Sequence, residues 1–160
     1  MASDFLLKID GIPGESNQDK HKGEIEVGSF SWGAVQQGSM SAGGGGGAGK
    51  ASFNDLHFSA PVSKASPVLF QKCAIGEHIK KALLTVRKAG KNQQEYYKIT
   101  LTDLLVSSFQ SGGADGGGPP MDSFSLNYTK IEFSYAAQKA DGTLEGAVIG
   151  KFNIKTGKPD

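Results

Sequence analysis

Arginine is nearly absent. Arg87 is the sole one among 160 residues, and lysine plus arginine total 17 against 16 aspartates and glutamates. Base reading and phosphate clamping lean on the planar, two-pronged guanidinium, and a formal charge of +1 gives no field to draw nucleic acid or an anionic membrane. Cysteine is as scarce: Cys73 stands alone, which excludes an intrachain disulfide framework and a multi-cysteine metal site. No apolar run approaches the ~20 residues of a membrane span. The opening "MASDFLLKIDG" has no basic n-region and only a short apolar run, so it does not read as a signal peptide. The expectation is synthesis in the cytoplasm, with any export by another route.

Chemistry-bearing groups are thin as well. His21, His57 and His78 have no metal-ligand spacing, and no G-x-S-x-G elbow occurs. His57 lies two residues from Asp55 on an extended stretch, which reads as a surface or interface pair. His78 follows a helix end, where an imidazole interacts favourably with the dipole, and His21 sits among charged turn residues. Cys73 falls mid-helix among apolar neighbours and reads as a small buried side chain. The carboxylates are scattered, with no pair placed for glycoside chemistry. No catalytic residue, metal site or cofactor site is expected.

Glycine is what the chain has in quantity, 23 residues, five of them consecutive within "GSMSAGGGGGAGKA". From Gly44 this stretch fits G-x-x-x-x-G-K, the opening of a phosphate-binding loop. That chemistry needs a hydroxyl after the lysine to hold Mg²⁺ and a helix N-terminus to face the anion. Position 51 is Ala, and "ASFNDLHFSAP" continues as a strand. A nucleotide site using Lys50 and a plain loop between two strands are the readings the residues leave, and the loop has fewer missing parts.

Period-2 alternation dominates the rest. "DFLLKID" places Phe5, Leu7 and Ile9 on one face, with Asp4, Lys8 and Asp10 mostly on the other. "GEIEVGSFSWGAVQ" changes phase at Gly28: Ile25 and Val27 share one parity, Phe30 and Trp32 the other. "EYYKITLTDLLVSSF" slips across Asp103, between Leu101 and Leu104. "DSFSLNYTKIEFSYA" slips between Tyr128 and Ile131. Such slips turn the apolar set over, bend a strand and let it serve two sheets. "KKALLTVRK" and "GAVIGKFNIK" add strands, and Asp141-Gly142 marks a turn. One helix is predicted over 66–76, with Ser66 as N-cap, Pro67 in the first turn and Gly76 as the left-handed stop. "SGGADGGGPP" is a second loop. The chain predicts one domain, 1–160, mostly β: a small β-barrel of two curved antiparallel sheets with one flanking α-helix. Phe30 and Trp32 are expected in its core, which turns Ser29 and Ser31 outward, to bulk water or to a channel.

The stretch "DLHFSAPVSKASPVLFQKCAIGEHIKKALLTVRKAG", with "FLLKIDGIPGES", "SWG", "GSMSAGGGGGAGK", "YYKITLTDLLVSS" and "QKADG", resembles the haemolysin-coregulated protein family, the tube protein of the bacterial type VI secretion system. The likeness covers nearly the whole chain in order. It implies a barrel with one helix, six copies closing into a ring, and rings stacking into a hollow tube. That tube is fired from a contracting sheath of a Gram-negative bacterium under a spike, with small effectors inside the ring. It implies that Gly38, Ser39, Met40, Ser41, Gly45 and Lys50 belong to a loop touching the neighbouring ring, and that Ser29 and Ser31 face the lumen. The implied partners are further copies of the chain, the sheath, spike and baseplate proteins and small effectors, with no nucleic acid and no membrane insertion. The alternative is a barrel that binds cargo without forming a tube.

Overall fold

The computed structural model describes residues 3–38, 48–89 and 92–160. Along these run β1 (Ser3–Ile9), β2 (Ile25–Val27), β3 (Ser29–Ser31), β4 (Ala34–Gly38), β5 (Ala48–Phe53), β6 (Leu56–Pro61), α1 (Ala65–Ile75), β7 (Ile79–Lys88), β8 (Glu95–Gly112), β9 (Met121–Tyr135) and β10 (Val148–Asn153). The fold is mostly β with one helix, as the alternation predicts. One sheet runs β2-β1-β7-β8-β9-β6-β3, with β10 beside β9, and β4 pairs with β5 as a separate hairpin.

The sheet closes on itself through a change of phase. β2 and β3 are the two ends of the strand order, yet only Gly28 separates them in the chain. One short segment thus pairs with β1 (Phe5 opposite Val27) and, past Gly28, with β6 (Phe30 opposite Phe58). The Gly28 amide donates to the Ser59 carbonyl at 2.7 Å, which anchors the corner. The long strands bend in the same way. Asp103 sits at φ 51°, the left-handed region that Asp tolerates better than most residues. The slip in β9 lies opposite, so the register holds across both: Thr102 faces Lys130 and Leu104 faces Tyr128. Ile99, Leu101, Leu104, Val106, Leu126 and Ile131 are consequently all buried in one core despite their mixed parity. The two walls of the barrel are therefore one sheet, continuous through β8 and β9.

Alternation misleads on β1 and β7. Leu6, Thr85 and Arg87 point away from the barrel core, yet all three are buried. The segment 12–24 crosses them. Its own backbone is tightly folded: Gly14 N–H donates to Gly23 O at 2.8 Å, and Ser16 N–H to Glu24 O at 2.9 Å. A Cβ on Gly14 would lie 2.4 Å from Glu24 O, so no other residue fits this approach. Arg87 clamps the segment from below, its Nη1 donating to Asp19 O at 3.0 Å and Nη2 to Gln18 Oε1 at 2.8 Å, with Asp4 Oδ2 3.7 Å from Nε. His21, expected in a charged turn, is buried there. Its Nδ1 is 2.8 Å from Glu24 Oε2 and its Nε2 3.3 Å from Glu95 Oε1.

The helix ends where the sequence says and starts differently. Gly76 is left-handed (φ 63°), and its amide reaches back to Cys73 O. At the other end the first helical residue is Ala65, and the N-cap position, Lys64, makes no side-chain cap. Ser66 is not the N-cap. Ser63 Oγ accepts the Ala65 amide at 3.2 Å, and Ser66 Oγ accepts the Ser63 amide at 3.0 Å, a reciprocal arrangement like a capping box. The Ser66 hydroxyl also donates to Asp122 Oδ2, tying α1 to the start of β9. Cys73 is half-buried against the core rather than fully enclosed.

Candidate functional site

Four strands share a face that looks away from the core: β3, β6, β9 and residues 105–112 of β8. Register sets its chemistry. Ser29 lies opposite Ser59, Ser59 opposite Ser123, and Ser123 opposite Gln110; one row along, Ser31 faces His57, His57 faces Ser125, and Ser125 faces Ser108. Between these rows, on the other side of the sheet, Phe30, Phe58, Phe124 and Phe109 stand in line across the same strands. Phe58 and Phe124 stack with centroids 5.2 Å apart. A period of two thus separates an aromatic layer from a hydroxyl layer. All members of these rows except Ser125, which is buried, line a shallow trough of about 670 Å³. They contain no carboxylate, lysine or arginine. Ser29 and Ser59 join their hydroxyls at 2.6 Å.

Ser29 and Ser31 are both exposed on this trough, as their parity predicts. Phe30 and Trp32 are half-buried, at the border of the core instead of in it. Phe30 meets Phe5 edge-on at 5.3 Å, and Trp32 meets Phe133 edge-on at 5.3 Å while its Nε1 donates to Tyr97 at 3.0 Å. The structure adds His57, Ser59, Ser108, Gln110 and Ser123 to the wall. Isolated serines carry no sequence signal of their own; only the strand order 8-9-6-3 gathers them.

Gly38 and Lys50 lie in paired strands, with Gly38 opposite Ala48 and Lys50 exposed. Ser39, Met40, Ser41 and Gly45 lie outside the described residues. The segment after Lys50 continues as β5, not as a helix, so the helix N-terminus that a phosphate loop requires is missing at this point.

Asp55 and His57 share the outer face, yet Asp55 is engaged elsewhere. It accepts from Ser107 Oγ at 2.6 Å and from Asn127 Nδ2 at 2.8 Å. Ser107 continues to Ser125 at 2.7 Å. No hydrogen bond from the His57 ring to a serine is found among the described residues. Nor do the described residues hold three or more clustered metal-ligating side chains, and no helix among them is long and apolar enough to cross a membrane.

At the end of this network Tyr128 is buried, its hydroxyl donating to Asn54 O at 2.9 Å. Burial, and then the charge of Asp55, push the phenol from 10.0 up to about 12. Its folded value exceeds its unfolded one. Its contribution to stability is therefore complete below pH 10.0 and is lost as pH rises towards about 12. Tyr128→Phe should flatten the alkaline limb of a stability–pH profile in that window. An unchanged limb would place the alkaline sensitivity elsewhere.

The comparisons with known proteins agree with this geometry. A family model described as "Type VI secretion system effector, Hcp" matches residues 6–135. The chain belongs to the Hcp family of the type VI secretion system. It is 44% identical over 150 residues to protein hcp1 of Pseudomonas aeruginosa, with 93% of each chain covered. Among solved structures it resembles Hcp1 of Salmonella typhimurium (39% identity, TM-score 0.81, covering 98% of this chain and 97% of that one). A structure described as a type six secretion system protein is nearer in shape, with TM-score 0.92 at 29% identity, covering 98% and 99%. The barrel with its one helix is thus the Hcp fold, and the strand register gives this chain its serine wall.

Proposed function

We propose that the chain is a structural subunit of the secretion tube rather than an enzyme: six copies close into a ring, rings stack, and the serine wall lines the bore. One observation carries the reading. The second wall of the barrel stops where β1 and β7 end, and this leaves β3–β6–β9–β8 as a four-stranded band with two open edges, Ser29–Ser31 and residues 105–112. Unpaired strand edges are templates for pairing. Three antiparallel steps separate β3 from β8, so the two edges run in opposite directions. Copies set head to tail then continue an antiparallel sheet across each joint, a heterologous contact that closes into a ring. The hydroxyl rows of successive copies merge into one uncharged inner surface. Light scattering should give about six times the chain mass; a monomer at micromolar concentration favours the cargo module without a tube.

Small effectors fit such a bore, because short side chains leave it wide and hydroxyls offer hydrogen bonds without a charge to desolvate. Ser31→Lys should leave stability within about 0.5 kcal/mol, since Ser31 is exposed and makes no core contact. It should also reduce retention of a co-purifying effector. If the variant unfolds, or if effectors are retained unchanged, Ser31 is not on the cargo surface. The segment 38–50 is assigned to ring stacking. Axial contacts that are individually weak and repeated around the ring let the tube disassemble after firing. Deleting Met40 to Gly47 should preserve rings and abolish tube assembly in cells. The sheath, spike and baseplate proteins of a Gram-negative bacterium complete the list of partners, with the chain cytoplasmic before firing and secreted afterwards.

A further inference from the structure

Segment 12–24 lies across β1 and β7 as a strap. Past Ile12 it joins no strand of the sheet among the described residues. Its backbone bonds are local: Gly14 N–H donates to Gly23 O, Gly23 N–H to Ser16 O and Ser16 N–H to Glu24 O. Beneath it Leu6, Thr85 and Arg87 are buried. Side chains therefore hold the strap down. Glu15 Oε2 accepts the Lys64 amide at 3.0 Å, Arg87 donates to Gln18 and Asp19, and His21 reaches β8.

His21 is 6% exposed, and each of its ring nitrogens stands against a carboxylate. Nδ1 is 2.8 Å from Glu24 Oε2, on the strap itself. Nε2 is shut off from solvent, makes no hydrogen bond among the described residues and lies 3.3 Å from Glu95 Oε1, at the start of β8. An ionised carboxylate only accepts hydrogen bonds, and a neutral imidazole has one N–H to give. With the proton on Nδ1, the Nε2 lone pair faces the Glu95 oxygen. With the proton on Nε2, the Nδ1 lone pair faces Glu24. Either tautomer sets a buried lone pair against negative charge, and only the imidazolium offers an N–H to both oxygens.

The surrounding cations leave this contact to the ring. Lys98 Nζ is 4.0 Å from the same Glu95 oxygen and is exposed. Arg87 is the register partner of Glu95, but its guanidinium is turned to Gln18, Asp19 and Asp4. Lys8 of β1, with Lys20 and Lys22 of the strap, shares a surface notch with Glu24 and Asp10. Among the described residues none of these side chains donates a hydrogen bond to Glu24 or Glu95.

We propose that His21 is a proton-operated clasp. Protonated, it bridges Glu24 and Glu95 and fastens the strap to β8; deprotonated, it loses the bridge and the strap loosens. The bridge is complete in mildly acid solution, where the carboxylates are still ionised, and is lost as pH rises through the range in which imidazoles give up their proton. That range lies well below the alkaline window of Tyr128.

The test is amide hydrogen exchange at about pH 6 and about pH 8.5 on the intact wild-type protein, His21→Gln and Glu95→Gln, with rates corrected for the intrinsic effect of pH. In the wild type, protection of Gly14, Ser16 and Gly23 should fall about tenfold or more between the two, while Ile99 and Leu101 in the middle of β8 hold steady. His21→Gln has no ring proton to lose and should show the lower protection at both. Glu95→Gln separates the clasp from simple packing. Its amide accepts from a protonated Nε2 and donates to an unprotonated one, so the strap should stay closed at both pH values. Wild-type strap protection that tracks β8 overturns the clasp, and so does a His21→Gln strap with the wild-type pH dependence. A Glu95→Gln strap that still opens like the wild type overturns the bridge to β8. Should His21→Gln fail to fold, nitrogen-15 spectra of the wild-type ring decide. Two ring N–H groups at about pH 6 and one at about pH 8.5 support the clasp, and a single one at both overturns it.

Discussion

Arg87→Ala should lower the melting temperature by roughly 10 °C or more. The side chain is 2% exposed, and its guanidinium is the main polar tie between β7 and the segment 12–24. Removing it takes the donor from the Asp19 carbonyl and from the half-buried Gln18 amide oxygen. It also takes the counter-charge from Asp4 and opens a void beside Leu6 and Thr85. Truncating a side chain this large and this buried, with the loss of its two hydrogen bonds, costs about 3–5 kcal/mol. In a chain of this size each kcal/mol moves the midpoint by about 2–4 °C. Arg87→Lys keeps the charge but loses the fork that reaches two acceptors at once, so it should fall between. Hydrogen exchange should locate the damage first in residues 12–24, where Gly14 and Ser16 amides bond back within the segment. A shift of only a degree or two would mean that the segment is held by its own turns and by His21, not by Arg87.

Phe124→Ala should cost a similar amount, about 3–5 kcal/mol, by a different route. Phe124 is 2% exposed, stacks on Phe58 and lies directly opposite Phe109. It is the middle of the aromatic row that backs the serine wall. Truncation leaves a cavity that the neighbouring rings cannot fill without moving strands, because Phe58 is held by register on both sides. Phe124→Leu, which retains most of the volume, should cost about 1–1.5 kcal/mol. Urea denaturation with a constant m-value reads both. The contrast with Ser31→Lys is the informative part. One residue out of phase on the same sheet, the expected cost drops to within the noise. A mild Phe124→Ala would show that the row is loosely packed and that the wall is not rigidly backed.

The resemblance read from the residues and the family match agree, and the bottom-up elements agree with the structure where the signal is local. The bend at Gly28 and the paired slips at Asp103 and opposite it are visible in the sequence because a phase change in a period-2 pattern has no other cheap explanation. The stop at Gly76 is visible because the left-handed conformation selects glycine. The outward turn of Ser29 and Ser31 follows from the parity of Phe30 and Trp32 alone.

Other features depend on which segments meet, and alternation carries no such information. His21 reads as a turn residue until residues 12–24 fold over β7 and seat it between Glu24 and Glu95. Leu6 and Arg87 have the parity of an exposed face and are buried by that same covering segment. Ser66 has the identity of an N-cap, but the helix already starts at Ala65, and the Ser66 hydroxyl is engaged by Asp122, 56 residues on. Local chemistry thus determined the strands, their bends, the helix end and the facing of Ser29 and Ser31. Only the tertiary structure, by bringing β3 and β8 to opposite edges of one band, decided that scattered serines form a wall and that Phe70 meets Phe109. Side-chain period is a property of a few consecutive residues, whereas strand order arises from the closure of the whole sheet around one core.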